Sequence, residues 1–410
     1  MARQRFAGWD AALAGRASAP ADVLCIGDSL TEGHGASVKG ARWVDLLAAA
    51  LRSRFPTAGV RGGEGYLPAS WLSFSFDHGW LYSGATAADY TYGFGHRSVV
   101  LSSPAGSASR TVTGTSVTVA YSRHTSFGSL QVFVDGSPLP AATVSTAAGA
   151  TATIDDGGRV DVIFPSRGGH IVRVAWSSGG DVYLNGLWVR DQDEASGVRV
   201  TESGQFGCRT AHWSTIENPN AYVLTRDVAA LQPALCVIEL GLNDYSGNVP
   251  PDTFRSNLLA LIGQVAAACS IPPSFLLVGM YQRLGTFTYA WQDYITVMRE
   301  VADTRSDTTF LDLSVSYPGP PGALYYPDNL HPNDAGHAVI ANAVLGVIAP
   351  PIEPAPAGGW AGLVSVLEEI HEIARSERSQ VPVACPNDGE PLVTAGDGGL
   401  YCPFDGWRPL

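Results

Sequence analysis

Lysine is all but missing from this chain: Lys39 stands alone, and every other basic residue is arginine. Basic charge as a whole is scarce, with 25 Lys+Arg against 38 Asp+Glu and a net charge of −13. Nucleic acid or an anionic membrane surface needs a basic patch, so both are excluded as main partners. The preference for arginine reads as the coding bias of a GC-rich genome. Long hydrophobic runs are lacking too; none approaches the roughly 18 to 20 residues of a membrane span. The segment Met1 to Pro20 carries Arg3, Arg5 and Arg16 and has no continuous apolar core, which disfavours ordinary Sec export and fits synthesis in the cytoplasm. Cysteine is sparse at 6 in 410 residues, and Cys25 and Cys236 fall inside apolar runs, as small core residues rather than a disulfide framework. What is plentiful is apolar residue, 45% of the chain, which is globular composition at a length that predicts two or three folded units.

Four short apolar runs, Ala21 to Ile26, Ala234 to Leu240, Ser274 to Gly279 and Thr309 to Leu313, each end in a loop. Helix-compatible stretches follow them at Trp43 to Arg54, Pro251 to Ala268, Tyr289 to Ala302 and Asn333 to Ile348. Continuous apolar strands alternating with helices predict a parallel sheet covered on both faces. Between about Ser98 and Arg190 the texture changes to Gly, Ser, Thr and Val with period-two runs such as Ser116 to Tyr121, Leu130 to Val134 and His170 to Trp176. Asp135-Gly136 and Asp156-Gly157 sit where hairpin turns belong. The expectation is an antiparallel β-sandwich or jelly roll inserted into the α/β domain rather than a consecutive one, because one strand and one helix before it cannot stand alone. The division is 1–85 and 196–350 for the α/β part, 86–195 for the insertion, 351–360 for a Pro-rich linker and 361–410 for a tail.

Gly27-Asp28-Ser29-Leu30 puts a serine directly after an apolar strand, at the edge where open α/β sheets place their sites. A serine hydroxyl needs a base, and the base needs an orienting acid. Two histidines have an aspartate three residues upstream: Asp328 before His331 and Asp334 before His337. His331 lies in the loop after the last strand, on the edge of Ser29; His337 is a turn into the helix and reads as a packing or capping residue. Attack on an ester builds negative charge on oxygen, which requires donors already in place. Asn243, in Gly241-Leu242-Asn243-Asp244, is one candidate, and a glycine N–H, at Gly207 or in Gly62-Gly63, is a second.

Gly27-Asp28-Ser29-Leu30, Gly207 with Thr210, Gly241 to Asp244, and Asp328 to His331 come in the order of the four blocks of the SGNH hydrolases, or GDSL-type esterases, and this chain resembles that family over roughly 21–66 and 198–348. The resemblance implies a flavodoxin-like three-layer α/β/α fold and an acyl-enzyme mechanism without metal or other cofactor. It implies Ser29 as nucleophile, His331 as base, Asp328 as its acid, and an oxyanion hole of the Ser29 and Gly207 N–H groups and the Asn243 side chain. Asp28, Trp213, Tyr245 and Tyr281 are candidates to line the substrate pocket. The second block departs from the family, which often has an asparagine shortly before the glycine.

In the tail, Gly362 to Arg378 has the spacing of an amphipathic helix that needs a partner surface, either internal or in a homo-oligomer. Cys385-Pro-Asn-Asp388 and Cys402-Pro-Phe-Asp405 repeat one pattern, read as a hairpin with a metal site, two thiols or a disulfide left open. The tail resembles C-terminal modules of actinobacterial phage structural proteins. The expected function is a serine esterase removing acetyl or another short acyl group from a glycan or cell-envelope polymer, as a phage tail component in the virion. The competing expectation is a non-catalytic attachment protein whose β unit binds carbohydrate.

Overall fold

Five strands form a parallel sheet in the order β11-β1-β12-β13-β14. They are β1 (Ala21–Gly27), β11 (Val198–Gly204), β12 (Leu235–Glu239), β13 (Ser274–Gly279) and β14 (Thr308–Asp312). The structure is a computed structural model that describes residues 6–70, 78–89, 91–192, 195–214, 223–350, 385, 387, 391–404 and 406–409. Every residue of β1, β12 and β13 is buried, which explains why these strands are continuously apolar rather than alternating.

Helices α1 (Ala7–Gly15), α3 (Trp43–Arg54) and α9 (Asp334–Ile348) pack as one group, with Trp9 Nε1 donating to Ile348 O at 2.9 Å. Helices α4 (Thr210–Trp213), α5 (Val223–Leu231), α7 (Pro251–Ala268) and α8 (Trp291–Asp303) form a second group. Two short helices open at strand ends, α2 (Ser29–Glu32) after β1 and α6 (Leu242–Ser246) after β12. The sheet edge carrying them is where the site is built.

A second sheet is antiparallel and holds nine strands: β2 (Gly65–Pro68), β3 (Trp80–Ser83), β4 (Ala85–Asp89), β5 (Arg97–Leu101), β6 (Ser107–Arg123), β7 (Ser129–Val134), β8 (Ala142–Ser145), β9 (Asp155–Ser178) and β10 (Val182–Arg190). The expected two-sheet sandwich is thus corrected to a single curled sheet. The reason lies in strand length: β6 has 17 residues and β9 has 24, and they pair with each other across register shifts at Gly114/Ser116 and Tyr121/Arg123. Strands that long twist and bend at bulges, so one sheet wraps its own core of Leu67, Val119, Leu130, Val174 and Leu187. The sheet also takes in β2 and β3, which precede residue 86. Asp156-Gly157 is not a turn; it lies inside β9, with Asp156 buried and accepting from Ser122 Oγ at 2.6 Å and Gly93 N at 2.8 Å.

Residues 351–410 form a second compact unit. Its described part has a two-stranded hairpin, β15 (Val393–Thr394) with β16 (Leu400–Tyr401), and buried Cys385 and Cys402. The proposed linker, the Gly362 to Arg378 helix, Asp388 and Asp405 lie outside the described residues. Among those described, no helix is long and apolar enough to cross a membrane.

Candidate active site

β1 ends at Gly27, where a side chain is impossible: a Cβ would stand 2.0 Å from Thr31 Oγ1 and 2.7 Å from Glu239 O. The chain then turns sharply into α2. Asp28 caps that helix, its Oδ1 accepting from Leu30 N at 2.9 Å, so Ser29 is the first helical residue and its hydroxyl stays free of the capping role. Ser29 Oγ lies 2.9 Å from His331 Nε2, and His331 Nδ1 lies 2.5 Å from Asp328 Oδ2. Asp328 is further fixed by backbone N–H groups, accepting from Leu330 N at 2.9 Å and His331 N at 3.0 Å.

Burial acts first on these groups. It pushes the His331 pKa down to about 4, helped by the nearby His34 and Arg283 and opposed by Asp328. Burial alone would raise Asp328, but its hydrogen bonds from His331 and Leu330 outweigh that and hold it below the usual carboxylate value. The imidazole is therefore neutral and ready to accept a proton at ordinary pH.

Asn243 reaches the same edge from α6. Its Nδ2 donates to Asp28 Oδ2 and to Cys208 O, both at 3.0 Å. Gly207 adopts a φ of +72°, a conformation that favours glycine, between Cys208 and Phe206. Its loop is tied down from three sides: Thr210 Oγ1 donates to Asp244 Oδ1 at 2.6 Å, Cys208 O receives Asn243, and Phe206 N donates to Glu32 Oε2. The rival pair Gly62-Gly63 packs elsewhere, against Arg52 and Val189.

Three of the expected pocket residues are placed differently. Trp213 is fully buried with its ring centroid 4.3 Å from that of His96. Tyr245 sits in a core of Phe287, Trp291 and Tyr294, and Tyr281 between Tyr317 and Tyr325, with its hydroxyl donating to Leu330 O. Large aromatic side chains bury more apolar area than any others, and here the core took them. Asp28 is fully buried beside the buried Glu239. Burial pushes the Asp28 pKa up to about 7 and Glu239 well above its ordinary value. His337 is buried, its Nε2 donating to His34 O at 3.2 Å, as a packing residue should be.

Several residues of the site went unread in the sequence. The rings of His34 and Phe206 lie 4.1 and 6.2 Å from that of His331, and Tyr326 lies 6.5 Å from His34. A buried four-charge cluster, Glu32, Glu202, Arg42 and Arg97, stands behind α2. His34 and Glu32 sit close after the Gly-Asp-Ser-Leu block, and that adjacency was an available signal; Arg97 comes from the antiparallel sheet and had none. Among the described residues, His34, Asp328 and His331 have donor atoms within 4.8 Å of one another, close enough to hold a metal ion. Two of those three already bond to each other.

A serine, a neutral imidazole and a carboxylate linked in series at the carboxyl edge of a parallel sheet form the arrangement of a serine hydrolase. Residues 175–339 match the GDSL-like Lipase/Acylhydrolase family. Over those residues the chain is similar to GDSL-like (SGNH) acylhydrolases, and the class of protein that the site defines is an ester-hydrolysing enzyme. The match contains Gly207, Asn243, Asp328 and His331; Ser29 precedes it, beyond the inserted sheet. No curated protein matches the chain. Among solved structures, it is similar to a peptidoglycan O-acetylesterase at TM-score 0.60 and 14% identity, covering 84% of this chain and 96% of that one. A family two carbohydrate esterase from Clostridium thermocellum aligns at TM-score 0.32 and 17% identity, over 66% of this chain and 98% of that one. At such identity the first likeness is one of fold.

Proposed function

We propose that the protein hydrolyses an acetyl or other short acyl ester on a glycan or cell-envelope polymer, through an acyl-enzyme on Ser29. The observation that carries this reading is the unbroken series from Ser29 Oγ to His331 Nε2 at 2.9 Å and from His331 Nδ1 to Asp328 Oδ2 at 2.5 Å. In the proposed reaction His331 takes the Ser29 proton as Oγ attacks the carbonyl carbon. Asp328 holds the ring with Nδ1–H toward itself, leaving Nε2 to accept, and stabilises the imidazolium. The Ser29 and Gly207 N–H groups and Asn243 Nδ2 receive the oxyanion. His331 returns the proton to the leaving alcohol, and water repeats the sequence to release the acid.

A glycan carrier is supported by the rim of the site. Phe206 and Tyr326, 39% and 38% exposed, present flat apolar faces beside His331 on which a sugar ring can lie. The shared fold with a peptidoglycan O-acetylesterase agrees with it. The place in a phage tail rests on the sequence of the C-terminal tail alone. The test is mass spectrometry after a fluorophosphonate probe, with p-nitrophenyl acetate hydrolysis alongside. The expected result is one adduct, on Ser29, and hydrolysis lost in Ser29→Ala; activity surviving that change overturns the proposed nucleophile.

A further inference from the structure

We propose that Arg283 is a substrate-recognition residue, and that the esters favoured by this site carry a carboxylate close to the reacting carbonyl. The inference rests on the esterase reading above and adds to it the charge of the substrate. Arg283 lies in the loop after β13, on the sheet edge that carries Ser29 and His331. That loop is pinned by the three residues just before Arg283. Trp291 Nε1 donates to Met280 O at 3.0 Å, the Tyr281 hydroxyl donates to Leu330 O next to His331, and Gln282 Nε2 donates to the Tyr245 hydroxyl at 3.0 Å. Its guanidinium lies 5.8 Å from the ring of Phe287, which in turn packs 4.6 Å from Tyr245. Its positive charge helps to lower the pKa of both His331 and Asp28.

Arg283 lacks an anionic partner, whereas eleven other arginines among the described residues, from Arg42 to Arg408, hold a carboxylate in an ion pair. Arg283 has neither ion pair nor hydrogen bond among the described residues, and its Nε is buried with no acceptor. A half-buried guanidinium with no anion is costly, and a chain with 38 acidic residues has ample means of supplying one. A free planar fork of N–H donors beside a reacting centre matches a carboxylate geometrically, by two parallel hydrogen bonds. The same pairing has a consequence for the chemistry. Unneutralised, the Arg283 charge opposes the imidazolium that forms on His331 during attack; a bound carboxylate removes that opposition.

Two ester pairs test this, differing in charge on the acyl or on the alcohol side: p-nitrophenyl hydrogen succinate against p-nitrophenyl butyrate, and O-acetylated galacturonate against O-acetylated galactose. The quantity read is the charged-to-neutral ratio of kcat/KM in the wild type, Arg283→Gln and Arg283→Lys. In at least one pair the ratio is expected to fall about 10- to 100-fold in Arg283→Gln, the size of a charge-assisted hydrogen bond, with partial recovery in Arg283→Lys, which keeps the charge without the fork. In the wild type, glucuronate should also inhibit p-nitrophenyl acetate hydrolysis competitively where glucose does not, a measurement that needs no variant. Equal ratios in wild type and Arg283→Gln for both pairs, or equal inhibition by the two sugars, overturns the role of Arg283 and leaves the esterase standing. A wild type that hydrolyses none of the esters overturns the esterase reading, and this inference with it.

Discussion

The proposed base, His331, is neutral because it is dry, and this fixes how the enzyme should respond to acid. Its ring is 4% exposed, and its pKa is pushed down to about 4 by burial before any charge acts. If loss of the neutral imidazole limits the reaction, kcat/KM should hold level down to about pH 5 and fall with a midpoint near 4. A steady-state pH profile on p-nitrophenyl acetate checks this, and a limb near 6.5, the value of an unperturbed histidine, would contradict it. Asn243 makes a sharper case. Both its Nδ2 hydrogens are engaged, by Asp28 Oδ2 and Cys208 O, so donation to an oxyanion must be shared with, or taken from, one of these. Asn243→Ala therefore removes both the proposed oxyanion donor and the tie between the Gly207 loop and Asp28. We expect kcat to fall on the order of 10²- to 10³-fold with little change in KM, read by steady-state kinetics.

Between elements, the coupling that matters runs from the antiparallel sheet into the site. Arg97, on β5, donates to Glu32 Oε1 at 3.2 Å and to Glu202 Oε2; Glu32 Oε2 receives Phe206 N, one residue before Gly207; and Arg42 Nη1 reaches Glu32 O at 3.0 Å. All four charged side chains are nearly inaccessible. Buried ion pairs add little net stability, but removing one partner is expensive. Arg97→Met should thus cost about 3–5 kcal/mol in urea unfolding and, because it loosens the Gly207 loop, lower kcat more than it changes KM. Unchanged kinetics in the folded variant would reduce Arg97 to a structural residue.

This link marks where sequence reading stopped. The helices Trp43–Arg54 and Pro251–Ala268 and the strand Ser274–Gly279 were legible to the residue, because continuous apolar strands and amphipathic helices are local patterns. The strand-to-helix junctions that carry Ser29, His331 and Asp328 were legible as well, and the fold brings those three side chains within hydrogen-bond reach in series. Which ring faces the core and which the rim is not local: Trp213 and Phe206 are seven residues apart, and only packing put one inside and the other beside His331. The single curled sheet was hidden for a related reason, since bulges within β6 and β9 leave the alternating pattern of each segment intact.

Taken whole, the molecule keeps an unusual number of acids in its interior, and their sum decides its stability against pH. Burial raises Asp28 to about 7, Asp156 to about 8, Asp227 and Asp244 to about 6, and Glu239 well above its ordinary value. Each folded-state value lies above the unfolded one, so between the two the native state binds more protons and stability falls as pH rises. Three buried histidines act the other way, His96 at about 3 and His331 and His337 at about 4, but their effect is confined below the unfolded value of 6.5. Above that point the acids stand unopposed. Thermal unfolding at constant ionic strength should therefore show Tm dropping by a few degrees from pH 6.5 to 8.5. Asp156→Asn should flatten that drop, since it removes from the titration a carboxyl that burial raises to about 8. A Tm that climbs over this interval would mean these carboxyls are ionised in the folded protein, their charges met by the arginines around them.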